Sequence, residues 1–492
     1  MAQDSLDASI HTPPPAHKPR INGPMIFGVR PGHPVVYHIP VTGASPMRVR
    51  VTGLPRGVRF QATTHNLSGK IDQPGRYALH ITVTNQYGSA QKTLVLKVGE
   101  TIALTPPMGW NSWNIYGSKV TQEKVLANAR AMVRYGLIDH GWSYMNIDDA
   151  WQGKRGGKYQ GILPDSATFP DMQALCDSVH AMGLKIGIYS TPWIESYGHH
   201  IGGSADNAMG LFEPTREKIA RNKKIKPYAI GDFHFEQQDA AQFADWGFDY
   251  LKYDWNPVEK PETAEMYNAL RNSGRDIVYS LSNSIPFAHI ADLSTIANAW
   301  RTGGDIRDNW KSLKSRLFTQ EKWAPYERPG HWNDPDMMVL GYVGWGKTPA
   351  PTQLTPDEQY THMSAWCLLS VPLLLGCDLT QMDHFTLSLL TNDEVLDLNQ
   401  DTLGIQARLV WQEGENGILA KQLSDGSTAA GIFNTGDAGA QNITLRWSDI
   451  GLSGKYIIRD LWRQQDLGAY SDHFTVTVPK HGVVLVRLRR AG

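Results

Sequence analysis

Two short stretches hold residue types that can break a bond: Tyr250-Leu-Lys-Tyr-Asp254 and Trp300-Arg-Thr-Gly-Gly-Asp305. Each reads as an apolar strand that ends in a carboxylate beside a cation. Lys252 precedes Asp254 by two residues, so on a strand both side chains share one face. Arg301 stands four residues before Asp305, at the start of a loop whose Gly303-Gly304 lets backbone approach a ligand closely. Two carboxylates on separate strand ends suit glycosidic bond cleavage, one as nucleophile and the other as general acid. In that reading Lys252 keeps Asp254 ionised, because a nearby cation lowers a carboxylate pKa. Plainer roles stand beside it: a buried Lys252–Asp254 ion pair, and a helix N-cap at Asp305.

Asp148-Asp149, followed by Trp151, is a second acidic feature. Adjacent carboxylates are costly to bury without partners, and sugar hydroxyls or a metal ion would serve. Metal is the weaker reading, since no third ligand lies at recognisable spacing. Trp332-Asn-Asp334-Pro-Asp336-Met337 repeats the theme, and Met108-Gly-Trp-Asn-Ser-Trp113 puts an indole at a strand end. The chain has 16 tryptophans. An indole face packs well on the apolar face of a pyranose, although most of these rings are expected in the core.

These residues need a scaffold that gathers strand ends. Between residues 101 and 402 strand patterns alternate with helical ones. The strands are expected at Met108–Trp113, Tyr144–Asp149, Lys185–Ser190, Tyr250–Asp254, Ile277–Ser282, Asn298–Arg301, His331–Asp334 and Pro372–Asp378. The helices are expected at Glu123–Tyr135, Met172–Met182 and Asp239–Gly247. Eight such strands predict a (β/α)8 TIM barrel, with its chemistry at the C-terminal strand ends. Residues 21–100 alternate with period two between turn signals, as do residues 403–492, which predicts a β-sandwich on each flank. Residues 1–20, with Pro13-Pro-Pro15, read as a flexible lead-in.

The net charge of −1 gives no electrostatic case for nucleic acid or an anionic membrane. No apolar run approaches the roughly 20 residues that span a bilayer. Cys176, Cys367 and Cys377 lie in apolar contexts and read as buried thiols. No spacing suggests zinc, and His199-His200 reads as a solvated surface pair. The start Met1-Ala-Gln-Asp lacks a signal peptide core. Read as a mature end with an added Met, it points to a secreted or periplasmic protein, with the cytoplasm left open.

The five motifs Thr105–Trp113, Tyr144–Trp151, Phe243–Asp254, Trp300–Trp310 and Gly330–Met337 together resemble glycoside hydrolase family 27, the α-galactosidase family of the melibiase clan. Residues 21–100 resemble the immunoglobulin-like domain of bacterial secreted enzymes. The resemblance implies a retaining exo-hydrolase that releases terminal α-linked galactose or a close relative, without a cofactor and with carbohydrate as its partner. It implies Asp254 as nucleophile and Asp305 as acid/base. Asp148 and Asp149 would bind the hydroxyls at positions 4 and 6, Lys252 and Arg301 would contact ring hydroxyls, Trp113 would be the platform, and Asp336 with Met337 would close the floor. Two departures bear on specificity. The loop Tyr189–Gly203 lacks the cysteine common in α-galactosidases, and Ser282 stands where a glutamate usually contacts the 2-hydroxyl side. A small Ser there suits an acetamido group, whereas Ile285 would crowd it. The alternatives are α-N-acetylgalactosaminidase, β-L-arabinopyranosidase, isomalto-dextranase and, from another class, a non-catalytic sugar-binding protein.

Overall fold

The computed structural model describes residues 6–214 and 228–491. Eight parallel strands make the centre: β1 (Met108–Asn111), β2 (Tyr144–Asn146), β3 (Lys185–Ser190), β4 (Tyr250–Asp254), β5 (Val278–Ser282), β6 (Ala299–Arg301), β7 (Trp332–Asp334) and β8 (Leu373–Leu375). They run in the order β7-β6-β5-β4-β3-β2-β1-β8. A parallel bridge between Met338 and Leu375 closes the ring. Both faces of these strands are buried, which is why they read as near-continuous apolar runs.

β3 and β4 match the expected bounds, while several of the others are shorter. The end of β2 shows why. Past Asn146 the backbone amides of Asp148, Asp149 and Ala150 donate to Ser112 Oγ, Asp148 Oδ1 and Asp149 Oδ1. Side-chain acceptors thus take over the N–H groups that a longer ladder would need.

Alternation along β4 sends Leu251 and Tyr253 outward to the main apolar core and leaves Tyr250, Lys252 and Asp254 inside the barrel. Low in the barrel sits an apolar plug of Tyr144, Tyr250, Val278, Met337 and Leu374. Toward the C-terminal strand ends the lining becomes polar, with Asn111, Lys252, Ser280, Ser282, Arg301, Asp334 and Asp336. The helices pack outside. Gln122–Arg134 is capped by the Thr121 hydroxyl, which accepts from Lys124 N at 3.3 Å. Pro356–Leu368 begins with a full capping box and is buried on every side from Glu358 onward, between the barrel and the C-terminal sandwich.

At the N-terminal flank, Ile26–Val29, Gly88–Val98, Gly75–Asn85 and Arg48–Thr52 form one sheet, and Pro34–His38, Asn66–Lys70 and Val58–Gln61 form another. The two sheets share an apolar core. This sandwich covers the N-terminal end of the barrel. Arg30 there donates to Asp276 Oδ1 at 2.5 Å and to the carbonyls of Arg271 and Arg275 at 3.0 and 2.7 Å. The C-terminal sandwich pairs a six-stranded sheet with the ribbon Gln441–Arg446 and His473–Val478.

The lead-in expected to be flexible is seated in its described part, and residues 1–5 lie outside the described residues. Leu6 and Ile10, one helical turn apart, pack on the barrel core. His11 stacks on Tyr360 at 4.7 Å, and the His11 amide donates to the Tyr360 hydroxyl oxygen at 2.9 Å. No helix among the described residues is long and apolar enough to cross a membrane.

One glycine shows how tightly the ring is drawn. A Cβ at Gly109 would lie 2.2 Å from the Tyr144 carbonyl oxygen of the neighbouring strand. Gly109→Ala is expected to destabilise the protein by about 1–3 kcal/mol, read as a lower unfolding midpoint in urea. An unchanged midpoint would mean that β1 and β2 separate freely.

Candidate active site

The polar mouth of the barrel is built around two cations, buried Arg301 and partly buried Lys252. Lys252, inside β4, donates to Asp148 Oδ2 at 2.8 Å and lies 3.9 Å from Asp254 Oδ2. Its first partner is therefore Asp148, not Asp254. Burial opposes the ammonium charge, but Asp148 and Asp254 outweigh it and hold Lys252 protonated. Arg301, at the end of β6, is 3.0 Å from Asp336 Oδ1, donates to Asp305 Oδ1 at 3.3 Å, and donates to the Gly303 carbonyl at 3.0 Å. The glycine loop has a different reason from the one expected. A Cβ at Gly303 would fall 1.8 Å from Arg316 Nη1, so the glycine makes room for a guanidinium.

Asp254 and Asp305 sit in opposite environments. The Asp254 side chain is 10 % exposed, while that of Asp305 is 59 % exposed. Burial pushes Asp254 up to about 7; Lys252 and Arg301 pull it down, and Asp148 and Asp305 add to the rise. This corrects the expectation that Lys252 keeps Asp254 ionised. The lysine is spent mainly on Asp148, and desolvation wins. For Asp305, partial burial is overcome by Arg301 and Lys252, which carry it below the usual carboxylate range. Asp305 is not a helix cap either: Asn309 caps Trp310–Leu317 by accepting from Ser312 N at 3.0 Å.

Asp148 and Asp149 are each 1 % exposed, and protein donors satisfy most of their capacity. Asp148 accepts from Asn111 Nδ2, Lys252 Nζ and the Asp149 amide. Asp149 accepts from the Ala150 amide, Gln152 Nε2, Ser196 Oγ and the Gly198 amide at 2.7–3.0 Å. In the free chain protein donors therefore already partner the pair. Asp149 fastens the loop after β3, and a carboxylate with about four lone-pair sites has little left to offer. Within that loop His199 is exposed, as expected, and bonds Glu195 Oε1 at 2.6 Å. His200 departs from the expectation. It is half-buried, and its field acts on Asp149.

The remaining expected residues gather at the same mouth. Ser282 ends β5 opposite Asp254 and is 4 % exposed. Asp336 accepts from the Ile306 and Met337 amides at 2.6 and 2.8 Å, and burial raises it. Burial likewise pushes Asp334 up to about 6. Trp113 packs beside the apolar plug that includes Met337. Ile285, expected to crowd the pocket, is buried in the apolar core and is not among the residues lining the polar mouth.

Four residues that sequence reasoning passed over belong here. Asn283 Nδ2 donates to Asp254 Oδ1 at 2.6 Å and to the Tyr197 hydroxyl oxygen at 2.9 Å. Tyr197 comes from the loop after β3 and feels the charges of both Asp254 and Asp305. Asn111 holds Asp148, and Tyr189 is a buried phenol that feels Asp254, Asp149 and Asp148. Among the residues at positive φ, which also occur elsewhere in the chain, Ala150, Asn283 and Asp336 lie at this mouth (86°, 37° and 105°). A positive φ at Asn283 leaves a weak sequence trace in the residue type itself. The others leave none.

Among known sequences, the family described as alpha galactosidase A matches residues 105–204 and 221–401, and its C-terminal β-sandwich domain matches 413–488. An Ig domain family matches residues 18–99. Alpha-galactosidase 2 of Arabidopsis thaliana is 37 % identical over 424 residues, covering 84 % of this chain and 96 % of the relative. A solved chain from Bacteroides fragilis superimposes with a TM-score of 0.85 at 31 % identity, covering 97 % of this chain and 99 % of the other. The β-L-arabinopyranosidase of Geobacillus stearothermophilus gives a TM-score of 0.69 at 29 % identity, covering 79 % and 97 %. Barrel, acidic mouth and matched motifs together make this chain a member of glycoside hydrolase family 27, the α-galactosidase family.

Proposed function

We propose that the chain releases terminal α-linked galactose from oligosaccharides or polysaccharide side chains, with Asp254 as nucleophile and Asp305 as acid/base. The observation that carries the reading is the contrast between two carboxylates in one electrostatic field: one buried inside the barrel, the other open toward solvent beside Arg301. A sugar ring fits the enclosed end and its leaving group the open end.

In the first step the Asp254 carboxylate attacks C1, the C1–O bond breaks, and the leaving oxygen takes the proton of Asp305. In the second, water attacks C1 while Asp305 accepts its proton, and the ester bond to Asp254 breaks. The first step needs one proton on the pair, carried by Asp305; the second starts from unprotonated Asp305 and esterified Asp254, and the attacking water returns the proton. In the free site the balance runs the other way, with Asp254 raised and Asp305 lowered. Substrate reverses it. The leaving group covers Asp305 and desolvates its charge, while sugar hydroxyls donate to Asp254 and stabilise the carboxylate.

A second reading has an observation of its own. Most acceptor sites of Asp149 are taken up by its loop, which weakens the expected grip on a 6-hydroxyl. β-L-Arabinopyranose has the galactose ring configuration without C6, so an arabinopyranoside loses little in such a site. A panel of nitrophenyl α-galactoside, β-L-arabinopyranoside and α-N-acetylgalactosaminide decides. The proposal expects the highest kcat/KM on the first, and a preference for either of the others rejects it.

The singly protonated pair is the competent form, so kcat/KM is expected to be bell-shaped, falling below the usual carboxylate range and again above about pH 7. A profile flat to pH 9 would refute the one-proton pair.

Asp254→Asn is expected to reduce turnover at least about a thousandfold while making the fold more stable. The sign follows from linkage. The folded-state pKa is about 7 against an ordinary 3.8, so the parent binds an extra proton when folded between those values. Its stability therefore falls as pH rises through that window. The variant lacks this loss, and near pH 8 it should exceed the parent by roughly 2–4 kcal/mol, with little difference near pH 4. Thermal unfolding across pH 4–8 reads this. A variant less stable than the parent at pH 8 would contradict the assigned burial.

A further inference from the structure

We propose that His38, His65 and Asp139 form a zinc site that fastens the N-terminal sandwich to the underside of the barrel. One donor atom from each lies within 4.8 Å of the other two. His38 ends the strand Pro34–His38, and His65 closes the turn before Asn66–Lys70. Asp139 comes from the short helical turn Leu137–His140 that follows the first barrel helix. The donors thus come from both sides of the seam.

The spacing of the donors leaves room for a metal between them. His38 Nε2 and Asp139 Oδ1 stand 3.4 Å apart. Several other imidazole–carboxylate pairs close further, His140–Asp393 and His234–Glu265 to 2.7 Å, His180–Asp249 to 2.8 Å and His481–Glu358 to 2.6 Å, whereas His481–Asp437 stands at 3.2 Å and the exposed His384–Asp7 at 3.6 Å. Charge-assisted pairs normally take the shorter distances. Two ligands held about 2.0–2.2 Å from a tetrahedral zinc are separated by about 3.4 Å.

The surroundings orient the ring for that task. His38 Nδ1 lies 2.9 Å from Asn66 Oδ1, and Asn66 is the paired residue on the adjacent strand. The amide is hemmed in by Gly183, where a Cβ would come 2.5 Å from Asn66 Oδ1. With Nδ1–H donated to the amide, Nε2 presents a lone pair to Asp139, as in histidines that bind metal through one nitrogen and are steered through the other. His65 has φ 55°, and its carbonyl accepts from Ile39 N at 2.9 Å. This left-handed turn brings the two rings to 6.1 Å between centroids. The His65 ring has no hydrogen-bond partner among the described residues. The Asp139 side chain is 37 % exposed, which leaves a way in for the ion and a position for water as fourth ligand. Asn22 Nδ2 donates to the Asp139 carbonyl at 2.9 Å, so the seam is already closed there before any ion binds.

The test uses the full chain stripped with a chelator and titrated with zinc sulfate alone. The expected result is one equivalent retained after gel filtration, a rise of several degrees in the unfolding temperature that EDTA reverses, and visible absorption of a tetrahedral centre when Co2+ replaces zinc. Asp139→Asn and His65→Gln should each weaken binding tenfold or more without altering glycoside turnover at the far end of the barrel. Failure of the unmodified chain to retain zinc would overturn the proposal. So would full retention in both variants, or loss of zinc only in His234→Ala, which would move the site to His234, Glu236 and Glu265.

Discussion

Two cations, buried Arg301 and partly buried Lys252, face five carboxylates at the mouth of this barrel, and that imbalance governs the site. Lys252 and Arg301 face Asp148, Asp254, Asp305, Asp334 and Asp336. The cations are assigned unequally. Lys252 is bonded to Asp148 and only near Asp254, while Arg301 grips Asp336 and Asp305. Charge left uncompensated in a low-dielectric interior is relieved by taking up protons. Burial raises Asp254 to about 7 and Asp334 to about 6, and raises Asp336 as well despite its contact with Arg301. A proton held on the pair is what the first step of a two-carboxylate displacement needs, and burial that two cations only partly offset provides for it.

The same constraint explains the local strain. Ala150, Asn283 and Asp336 adopt positive φ beside Asp149, Asp254 and Arg301 respectively. Each turn aims a backbone or side-chain donor at a carboxylate, or a carboxylate at its cation. Such conformations cost of order 1–3 kcal/mol each, and they persist because the hydrogen bonds they enable keep buried charges from going unpaired. Stability is given up where the chemistry sits, in line with the more stable fold expected once Asp254 loses its charge.

The sequence made the barrel legible because parallel strands buried on both faces leave apolar runs, and β3 and β4 carried theirs from end to end. The catalytic candidates were legible because carboxylates at the ends of such runs are rare and expensive. Other features were hidden for physical reasons. Pro356–Leu368 is buried all round and shows no amphipathic stripe for a periodicity reading to find. The strand Gln465–Ser471 is mostly exposed and has few apolar positions. Asn283, Tyr197 and Asn111 matter through what they touch across loops, which no local pattern records. The protein partners of Asp149 were hidden for the same reason: Ser196 and Gly198 lie 47 and 49 residues beyond it. His38, His65 and Asp139 share no motif spacing, because two adjacent strands and a distant turn bring them together.

The two ends of the barrel divide the labour. At the C-terminal strand ends the interior is polar, strained and short of cations. At the N-terminal ends it is apolar, closed by Tyr144, Tyr250 and Val278, and covered by a sandwich held through Arg30 and Asp276. The apolar plug separates these environments, so a charge altered at the seam lies far from Asp254 in electrostatic terms, while Lys252, one alternation step above Tyr250, is the deepest charge on β4. A residue at the underside can therefore change how firmly the sandwich is held without shifting the proton on the carboxylate pair. The contacts of the N-terminal domain therefore bear on stability, at the end of the barrel opposite the chemistry.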